Sequence, residues 1–203
     1  MRQDQRPYWV KKNYLRFRSW YTQHFLKPVC DFLGDYPTFM KPWYISISGP
    51  NIEIGHCATV IGEPENRVKI GVWGNDEHSG RIKIGDYVLI SPGTRISAAN
   101  EIIIGDSVMI ANGVYITDSD WHQMYDRASR STDFAPVHIA NNVWLGDRST
   151  VLKGVTIGEN SVVAACAVVS RDVPANVVVA GNPAVVVKEL DVTRPMKTRA
   201  DYF

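Results

Sequence analysis

Five histidines are the side chains of this 203-residue chain best suited to proton transfer near neutral pH, because imidazole has an unperturbed pKa of about 6.5. His122 stands out, since it lies near the start of a polar stretch, residues 117–136, that interrupts the pattern of the surrounding chain. His138 directly precedes the apolar Ile139 and should point outward from a strand. The remaining histidines have expected roles in helix packing or in solvated turns: His24, His56 and His78.

The cysteines and the spacing of the histidines bear on two other chemistries. The three cysteines form no CxxC pair and leave an odd count, so we expect reduced thiols and a cytoplasmic setting. A zinc site needs three histidines that converge, and no two histidines here are four or five residues apart. Cys166 has no obvious activating partner in the sequence, which argues against a nucleophilic thiolate. The three cysteines are Cys30, Cys57 and Cys166.

Composition and charge exclude several classes of protein. The chain is 45% hydrophobic and 21% charged, with 22 basic and 21 acidic residues and a net charge of +1. These values are typical of a globular protein and not of a disordered or collagen-like one. The balanced charge does not indicate a nucleic-acid surface. No apolar run approaches the ~20 residues that span a bilayer, and the basic start MRQDQRPYWVKK lacks the apolar segment of a secretory signal.

A six-residue period organises the chain between residues 84 and 173. Gly, Asn and Asp near the repeated position favour tight corners, so three six-residue sides would close one coil of 18 residues. Stacked coils would pair as parallel strands about 4.8 Å apart, with the branched residues in interior columns. The spacing does not fix the hand of the coil, for which ordinary crossover statistics favour a right-handed turn. The repeated positions are Ile84, Ile90, Ile96 and Ile102, then Ile104, Ile110 and Ile116, then Ile139, Leu145, Val151, Ile157, Val163 and Val169.

Both ends of the chain depart from this period. Residues 8–33 carry aromatic side chains at three- and four-residue steps and predict a helix, which Pro28 ends or kinks. This basic, aromatic helix would cap the open end of the coil stack, since exposed strand edges aggregate; a membrane-surface helix is the alternative. The sequence thus divides into an N-terminal helical cap (1–44), a coil domain (45–190) and a basic tail (191–203) that we expect to be loosely ordered.

Apolar runs within the coils indicate self-association. Runs such as residues 102–104 and 177–179 place at least one branched side chain on the outside of the prism. Outward apolar rows need cover, so we expect oligomerisation along one face. A three-sided object suggests a ring of three subunits.

From Ile84 to Leu190 the chain resembles the hexapeptide-repeat acyltransferases. Within them it is similar to the sugar O-acetyltransferases, such as the maltose and galactoside acetyltransferases and the colanic-acid and O-antigen enzymes. The pieces NNVWLG, VLKGVTIGENSVVAA, DVP and AGNPA carry this resemblance. It implies an all-β fold, a left-handed parallel β-helix of hexapeptide repeats with an N-terminal capping helix and a long excursion loop. It also implies a homotrimer with active sites between subunits, and transfer of an acetyl group from acetyl-CoA to a carbohydrate hydroxyl without a metal.

The same resemblance assigns roles to individual residues. His122 matches the general base that takes the proton of the acceptor hydroxyl, and Asp118 would hold the imidazole in the right tautomer. Asp120 is the alternative for that role, or binds a sugar hydroxyl, and either aspartate could simply form a turn. The acceptor would also contact Trp144, Asn112 and Tyr115. Acetyl-CoA would lie against Gly146, Ala164, Ala165, Gly181 and Asn182, with Arg171 and Lys188 near its phosphates.

Two other functions remain alternatives at this stage: a non-catalytic β-helix that serves as a binding or assembly module, and a metal-dependent enzyme like the γ-class carbonic anhydrases. The favoured acceptor is a sugar of a cell-surface polysaccharide, because the basic, aromatic N-terminal helix is similar to that of O-antigen and capsule enzymes. We expect no nucleic acid among the partners, and the N-terminal helix leaves peripheral membrane association open.

Overall fold

Short strands wind around a three-sided coil in the computed structural model, which describes residues 7–73, 80–129 and 133–203. Each side of the coil is a sheet of strands from successive turns. Sheet A contains β1 (Phe32–Leu33), β4 (Ile52–Ile54), β7 (Arg81–Ile84), β10 (Glu101–Ile104), β13 (Val137–Ile139) and β16 (Thr156–Ile157). Sheet B contains β2 (Thr38–Met40), β5 (Thr59–Ile61), β8 (Leu89–Ile90), β11 (Met109–Ile110), β14 (Trp144–Leu145), β17 (Val162–Val163), β19 (Val177–Ala180) and β20 (Val185–Glu189). Sheet C contains β3 (Ile45–Ser48), β6 (Val68–Val72), β9 (Arg95–Ala98), β12 (Tyr115–Thr117), β15 (Thr150–Val151) and β18 (Val168–Val169).

The register of the sheets confirms the predicted coil. Ile139 pairs with Ile157, 18 positions further on, and Leu145 pairs with Val163 at the same separation. Earlier in the chain Ile84 pairs with its partner in β10 at a separation of 20 residues, which explains the two-residue shift in the sequence pattern. Among the strands named above, all neighbours pair in parallel except β19 with β20.

The branched residues of the repeat fill the interior of the prism. All thirteen repeated positions are at most 2% exposed. Burying one Val, Leu or Ile side chain stabilises a fold by about 1.5–3 kcal/mol, so these columns are the main source of stability in a narrow fold. The predicted interior columns are confirmed.

Glycines and short polar residues shape the corners between sheets A and B. A Cβ on Gly85 would lie 2.7 Å from the carbonyl carbon of Gly105 on the next coil, so only glycine permits the observed stacking at this point. Side-chain oxygens on these corners accept from the coil below: Asp106 Oδ1 accepts the backbone N–H of Asp86 at 2.8 Å, and Asn141 Oδ1 accepts that of Asp106. The Asp or Asn at these corners therefore satisfies a backbone group where the chain turns, after Gly105 in one coil and after Ala140 in the next.

The N-terminal helix is shorter than predicted. Helix α1 covers Tyr8–Tyr21, a π-helical turn follows over Thr22–Leu26, and a 3₁₀ turn over Lys27–Val29. The predicted helical stretch to residue 33 is wrong at its end, because Phe32–Leu33 already pairs with β4 as the first strand of sheet A. Strands β1 and β2 thus join the coil stack although the sequence analysis placed residues 1–44 in the cap. Within the described parts of the chain, no helix has the length and apolar character needed to cross a membrane.

The C-terminal residues fold back onto the coils, contrary to the expectation of a loosely ordered tail. After β20, a 3₁₀ turn covers Arg199–Tyr202. Arg199 Nε donates to the backbone oxygen of Tyr87 at 2.7 Å, and its guanidinium also reaches Thr59 Oγ1 at 3.2 Å. The ring of Phe203 lies 5.5 Å from that of Tyr87. The hydrogen bonds of a half-buried arginine and an aromatic contact fix the tail, and basic composition alone did not reveal either partner.

Candidate functional site

The excursion between β12 and β13 leaves the prism at the corner that joins sheets C and A, and its neck is tied closed. Ser119 and Phe134 form an antiparallel bridge, and the amide of Ala135 donates to the backbone oxygen of Asp118 at 2.9 Å. These contacts bring the two ends of the loop together, so the loop starts and ends at one fixed point.

Lys153 braces the same neck from the next coil. Its Nζ donates to Asp120 Oδ2 at 2.6 Å and lies 2.5 Å from Asp133 Oδ2. Burial acts to lower the pKa of Lys153, but the two carboxylates outweigh it and raise this pKa above its usual value. Lys153 therefore stays protonated and bonds both sides of the loop. The sequence analysis did not single out this residue, because its partners are 20 or more positions away.

His122 lies exposed on this loop with one ring nitrogen held. Its Nδ1 is 2.9 Å from the backbone oxygen of Arg127. A carbonyl oxygen can only accept a hydrogen bond, so Nδ1 carries the proton and the neutral ring keeps its lone pair on Nε2. No residue in the described part of the chain bonds to Nε2. The imidazole is therefore oriented and has a free basic nitrogen.

Trp121, next to His122, anchors the loop to sheet C. Its Nε1 donates to Thr117 Oγ1 at 3.0 Å and lies 3.2 Å from the hydroxyl of Tyr115. Its ring meets that of Trp73 edge to face, with centroids 6.5 Å apart. Trp121 takes a left-handed backbone conformation, with φ of 65°, which turns the chain so that the indole lies inward and the imidazole outward.

Asp118 does not pair with His122 in the structure. The side chain is fully buried, and its two carboxylate oxygens accept the amides of Ala99 and Asn100, each at 2.7 Å. Burial raises the pKa of Asp118 above its usual value, and these amides act in the opposite direction. Asp120, the other predicted partner of the imidazole, bonds Lys153 instead. The group that holds the imidazole is the Arg127 carbonyl, which no sequence pattern indicated.

Of the other described histidines, His24 shares the Nδ1–carbonyl contact of His122 but lies on the N-terminal helix, whereas His56 and His138 use their ring nitrogens differently. His138 Nε2 lies 2.8 Å from Glu101 Oε1, and Arg81 binds the same carboxylate. This hydrogen bond from His138 is the main reason why the pKa of Glu101 is lowered. His56 Nδ1 accepts the amide of Asp35 at 2.9 Å, so its lone pair is occupied. His24 Nδ1 bonds the backbone oxygen of Trp20 within the N-terminal helix, and His78 lies outside the described residues.

The predicted coenzyme contacts cluster at a different corner. The corner between sheets B and C carries small residues on successive coils. A Cβ on Gly146 would lie 2.7 Å from the amide nitrogen of Ala165 on the next coil. Counted from Gly146, the same corner carries Asn112 one coil earlier, Ala164 and Ala165 one coil later, and Gly181 with Asn182 two coils later.

The predicted aromatic residues lie on two faces. Tyr115 is on sheet C beside the loop, whereas Trp144 is on sheet B with 49% of its surface exposed. Arg171 is exposed after β18, and Lys188 is exposed on β20. Within one chain the structure therefore does not bring His122 next to Trp144 or to the small residues of the sheet B–C corner.

The described residues contain no group of three or more His, Cys, Asp or Glu side chains arranged to hold a metal ion. An exposed imidazole with a free basic nitrogen can accept a proton from a bound hydroxyl.

Two protein-family models match the repeat. A family model described as bacterial transferase hexapeptide (six repeats) matches residues 136–171, and one described as the hexapeptide repeat of succinyl-transferase matches residues 102–118. Both matches lie in the coils that flank the excursion loop.

Two curated relatives are named as acetyltransferases. The galactoside O-acetyltransferase of Escherichia coli is 40% identical over 92 residues, 44% of this chain and 45% of that protein. A probable acetyltransferase of Mycobacterium tuberculosis is 37% identical over 174 residues, 72% of this chain and 58% of that protein. The chain thus spans about half the length of the curated relatives it matches.

Solved structures share the fold. The N-acyltransferase AntD of Bacillus cereus, solved with dTDP and 3-hydroxybutyryl-CoA, has a TM-score of 0.56 at 18% identity, covering 85% of this chain and 89% of its own. A hexapeptide-repeat acetyltransferase of Vibrio cholerae has a TM-score of 0.53 at 24% identity, covering 89% and 90%. The predicted left-handed parallel β-helix is confirmed.

Proposed function

Because the chain belongs to the hexapeptide-repeat acyltransferases, we propose that it transfers an acetyl group from acetyl-CoA to a hydroxyl of a carbohydrate, with a cell-surface polysaccharide sugar as the acceptor. The names of the curated relatives support acetyl transfer, and the galactoside enzyme among them supports a sugar hydroxyl as the acceptor.

The observation that carries the proposal is the imidazole of His122, with Nδ1 held by the Arg127 carbonyl and Nε2 free. In the proposed reaction Nε2 takes the proton of the acceptor hydroxyl while that oxygen attacks the thioester carbonyl. The new C–O bond forms, the C–S bond of acetyl-CoA breaks, and the imidazolium returns the proton to the leaving thiolate. A base of this kind contributes roughly 10²–10⁴-fold to the rate. The Arg127 carbonyl keeps its hydrogen bond throughout and stabilises the imidazolium.

The proposed active site lies between subunits of a homotrimer. Sheet B carries an outward apolar row in which Met109, Trp144 and Val162 are register neighbours. Such a row needs cover, and a second subunit would provide it. That arrangement would also join the loop of one subunit to Trp144 and to the small residues of the sheet B–C corner of the next, which one chain keeps apart. There the pantetheine amides would approach backbone, with Arg171 and Lys188 near the phosphates.

Purified protein, [¹⁴C]acetyl-CoA and a panel of neutral, acidic and amino sugars test the proposal. We expect labelled product that loses its label in mild alkali, because an O-acetyl ester hydrolyses there and an N-acetyl amide does not. An alkali-stable product would show that the acetylated group of the acceptor is an amine and not a hydroxyl. No labelled sugar across the panel, from protein that sediments at the mass of one 22.8 kDa chain, would leave a non-catalytic module as the better account.

A further inference from the structure

A cleft on the outer surface of sheet C is not used by the proposed chemistry. Its volume is about 310 Å³, which falls within the usual size range of small-molecule sites. Its polar and aromatic lining comes from the first three strands of sheet C and the residue that follows β6: Ser46, Ser48, Lys69, Arg95, Ser97 and Trp73.

Two cations face each other across the floor of this cleft. Lys69 on β6 is the register partner of Arg95 on β9, and both side chains are exposed. Like charges directly opposite one another on a sheet destabilise it. Among the described residues, neither cation has a carboxylate partner. Arg95 instead uses Nε to bond Ser97 Oγ at 3.1 Å, and its guanidinium lies 5.2 Å from the ring centre of Tyr115.

Sheet A shows that the fold elsewhere pairs opposite charges in register. Glu53 is opposite Lys83, and Arg81 is opposite Glu101 and bonded to it. Within the part of the chain that the structure describes, the outer row of sheet C therefore keeps a positive charge that no carboxylate offsets, an arrangement that the neighbouring face avoids. An anionic ligand would relieve this repulsion, because it would lie between the two cations and accept hydrogen bonds from both.

The rest of the lining suits a sugar ring. Trp73 is 60% exposed and offers an aromatic surface. Gly71 makes room for it, since a Cβ there would lie 3.3 Å from Trp73 Nε1 and 3.2 Å from Ser48 Oγ. The serine hydroxyls can both donate and accept. Trp73 also meets Trp121, so the cleft is connected to the residue next to His122.

We propose that this cleft holds an anionic group of the acceptor, so that the preferred acceptor is a carbohydrate bearing a carboxylate or a phosphate. This inference rests on the proposed function, because it names the substrate class for the same loop. Lys69 and Arg95 bind the anion, and Trp73 supports the ring beside it.

Matched sugars test the inference. Acetyl transfer is measured with glucuronate against glucose, galacturonate against galactose, and glucose 6-phosphate as the phosphate arm. We expect a lower KM for at least one anionic sugar than for its neutral counterpart. In that pair, we expect Lys69→Gln to raise the KM of the anionic sugar by roughly tenfold or more, the order expected for one lost charge-assisted hydrogen bond. The kcat for the anionic sugar and the KM for the neutral sugar should stay within twofold of the unsubstituted protein. Lys83→Gln, which removes an exposed lysine from sheet A, is the matched control and changes neither.

Direct binding separates failure of the inference from failure of the proposed function. Saturation-transfer NMR with the same sugars needs no acetyl-CoA. Binding of an anionic sugar that Lys69→Gln abolishes supports the cleft even if no acetyl product forms. Equal binding of neutral and anionic sugars, or anion binding that survives Lys69→Gln and Arg95→Gln, overturns it. Thermal melting accompanies each variant. Lys69→Gln should lose no stability because it removes one of two like charges, whereas Arg95→Gln also loses the contacts with Ser97 and Tyr115, so its binding is measured well below its melting temperature.

Discussion

His122 and His138 are two accessible imidazoles near the two ends of the same excursion, yet their surroundings give them different chemistry. The ring of His138, 44% exposed, is bonded through Nε2 to the carboxylate of Glu101. The ring of His122 is bonded through Nδ1 to a backbone carbonyl and keeps Nε2 free. The carboxylate occupies Nε2 of His138, whereas the carbonyl at Nδ1 orients the ring of His122 and leaves its Nε2 open to a substrate. The hydrogen-bond partner separates these two rings, and the place of His122 on the excursion loop separates it from His24, which has the same kind of carbonyl contact within the N-terminal helix.

Replacing each histidine in turn tests this difference most directly. We expect His122→Ala to lower kcat by roughly 10²–10⁴-fold, because the acceptor hydroxyl loses its base. His138→Ala is the matched control and should change kcat less than threefold, the order of a lost exposed contact. Steady-state acetyl transfer with the best acceptor of the panel measures both. Equal losses in the two variants would contradict the distinction drawn between the two rings.

Asp118 sharpens the comparison, because the sequence suggested that it orients His122 and the structure places it under the loop instead. Asp118→Asn exchanges one acceptor oxygen for an NH₂ group that faces a backbone N–H. We expect a loss of about 1–3 kcal/mol in the free energy of unfolding, the usual cost of an unsatisfied buried polar group. Urea unfolding measures it, with Asp126→Asn on the exposed part of the loop as the control. A variant of unchanged stability whose kcat falls as far as that of His122→Ala would restore the role suggested by the sequence.

The six-residue period predicted the coils and their interior, because a buried branched side chain at every sixth position satisfies the same packing requirement on each side. It also predicted that His138 would point outward, since strand alternation fixes that direction. The partners of the loop residues could not be predicted in this way. Arg127 and Lys153 act through contacts that depend on how an irregular loop folds, and no periodicity describes such a loop. The contacts of Arg199 could not be predicted either, because the C-terminal tail has no repeating pattern.

Replacing Lys153 is expected to have a smaller effect than replacing His122 or Asp118. Lys153→Met removes the bonds to Asp120 and Asp133 that brace the loop neck. We expect kcat to fall by roughly fivefold, equivalent to about 1 kcal/mol, the upper range for a partly exposed ion pair. KM for acetyl-CoA should stay unchanged, since Lys153 does not lie at the sheet B–C corner. Lys12→Met on the exposed N-terminal helix serves as the control, and a loss of activity in both variants would point to a general effect of removing charge.

The smallest expected effect is on stability at acid pH, through the hydrogen bond between His138 and Glu101. The pKa of Glu101 is lowered, chiefly by the hydrogen bond from His138. A carboxyl with a lowered pKa stabilises the fold above its unfolded pKa of about 4.3, and that contribution disappears as pH falls through the folded pKa. Glu101→Gln should therefore reduce the loss in free energy of unfolding that accompanies acidification. The change should be less than about 1 kcal/mol, because the group is near the surface.

Melting curves at closely spaced pH values between about 3 and 6 bracket the unfolded carboxyl pKa and resolve this effect. His138→Ala should flatten the same region in part, since Arg81 still holds the carboxylate, and His122→Ala should leave it unchanged. An equal change in acid stability for His122→Ala and His138→Ala would mean that His122 also has a carboxylate partner in the folded protein. Its lone pair would then not be free to act as a base.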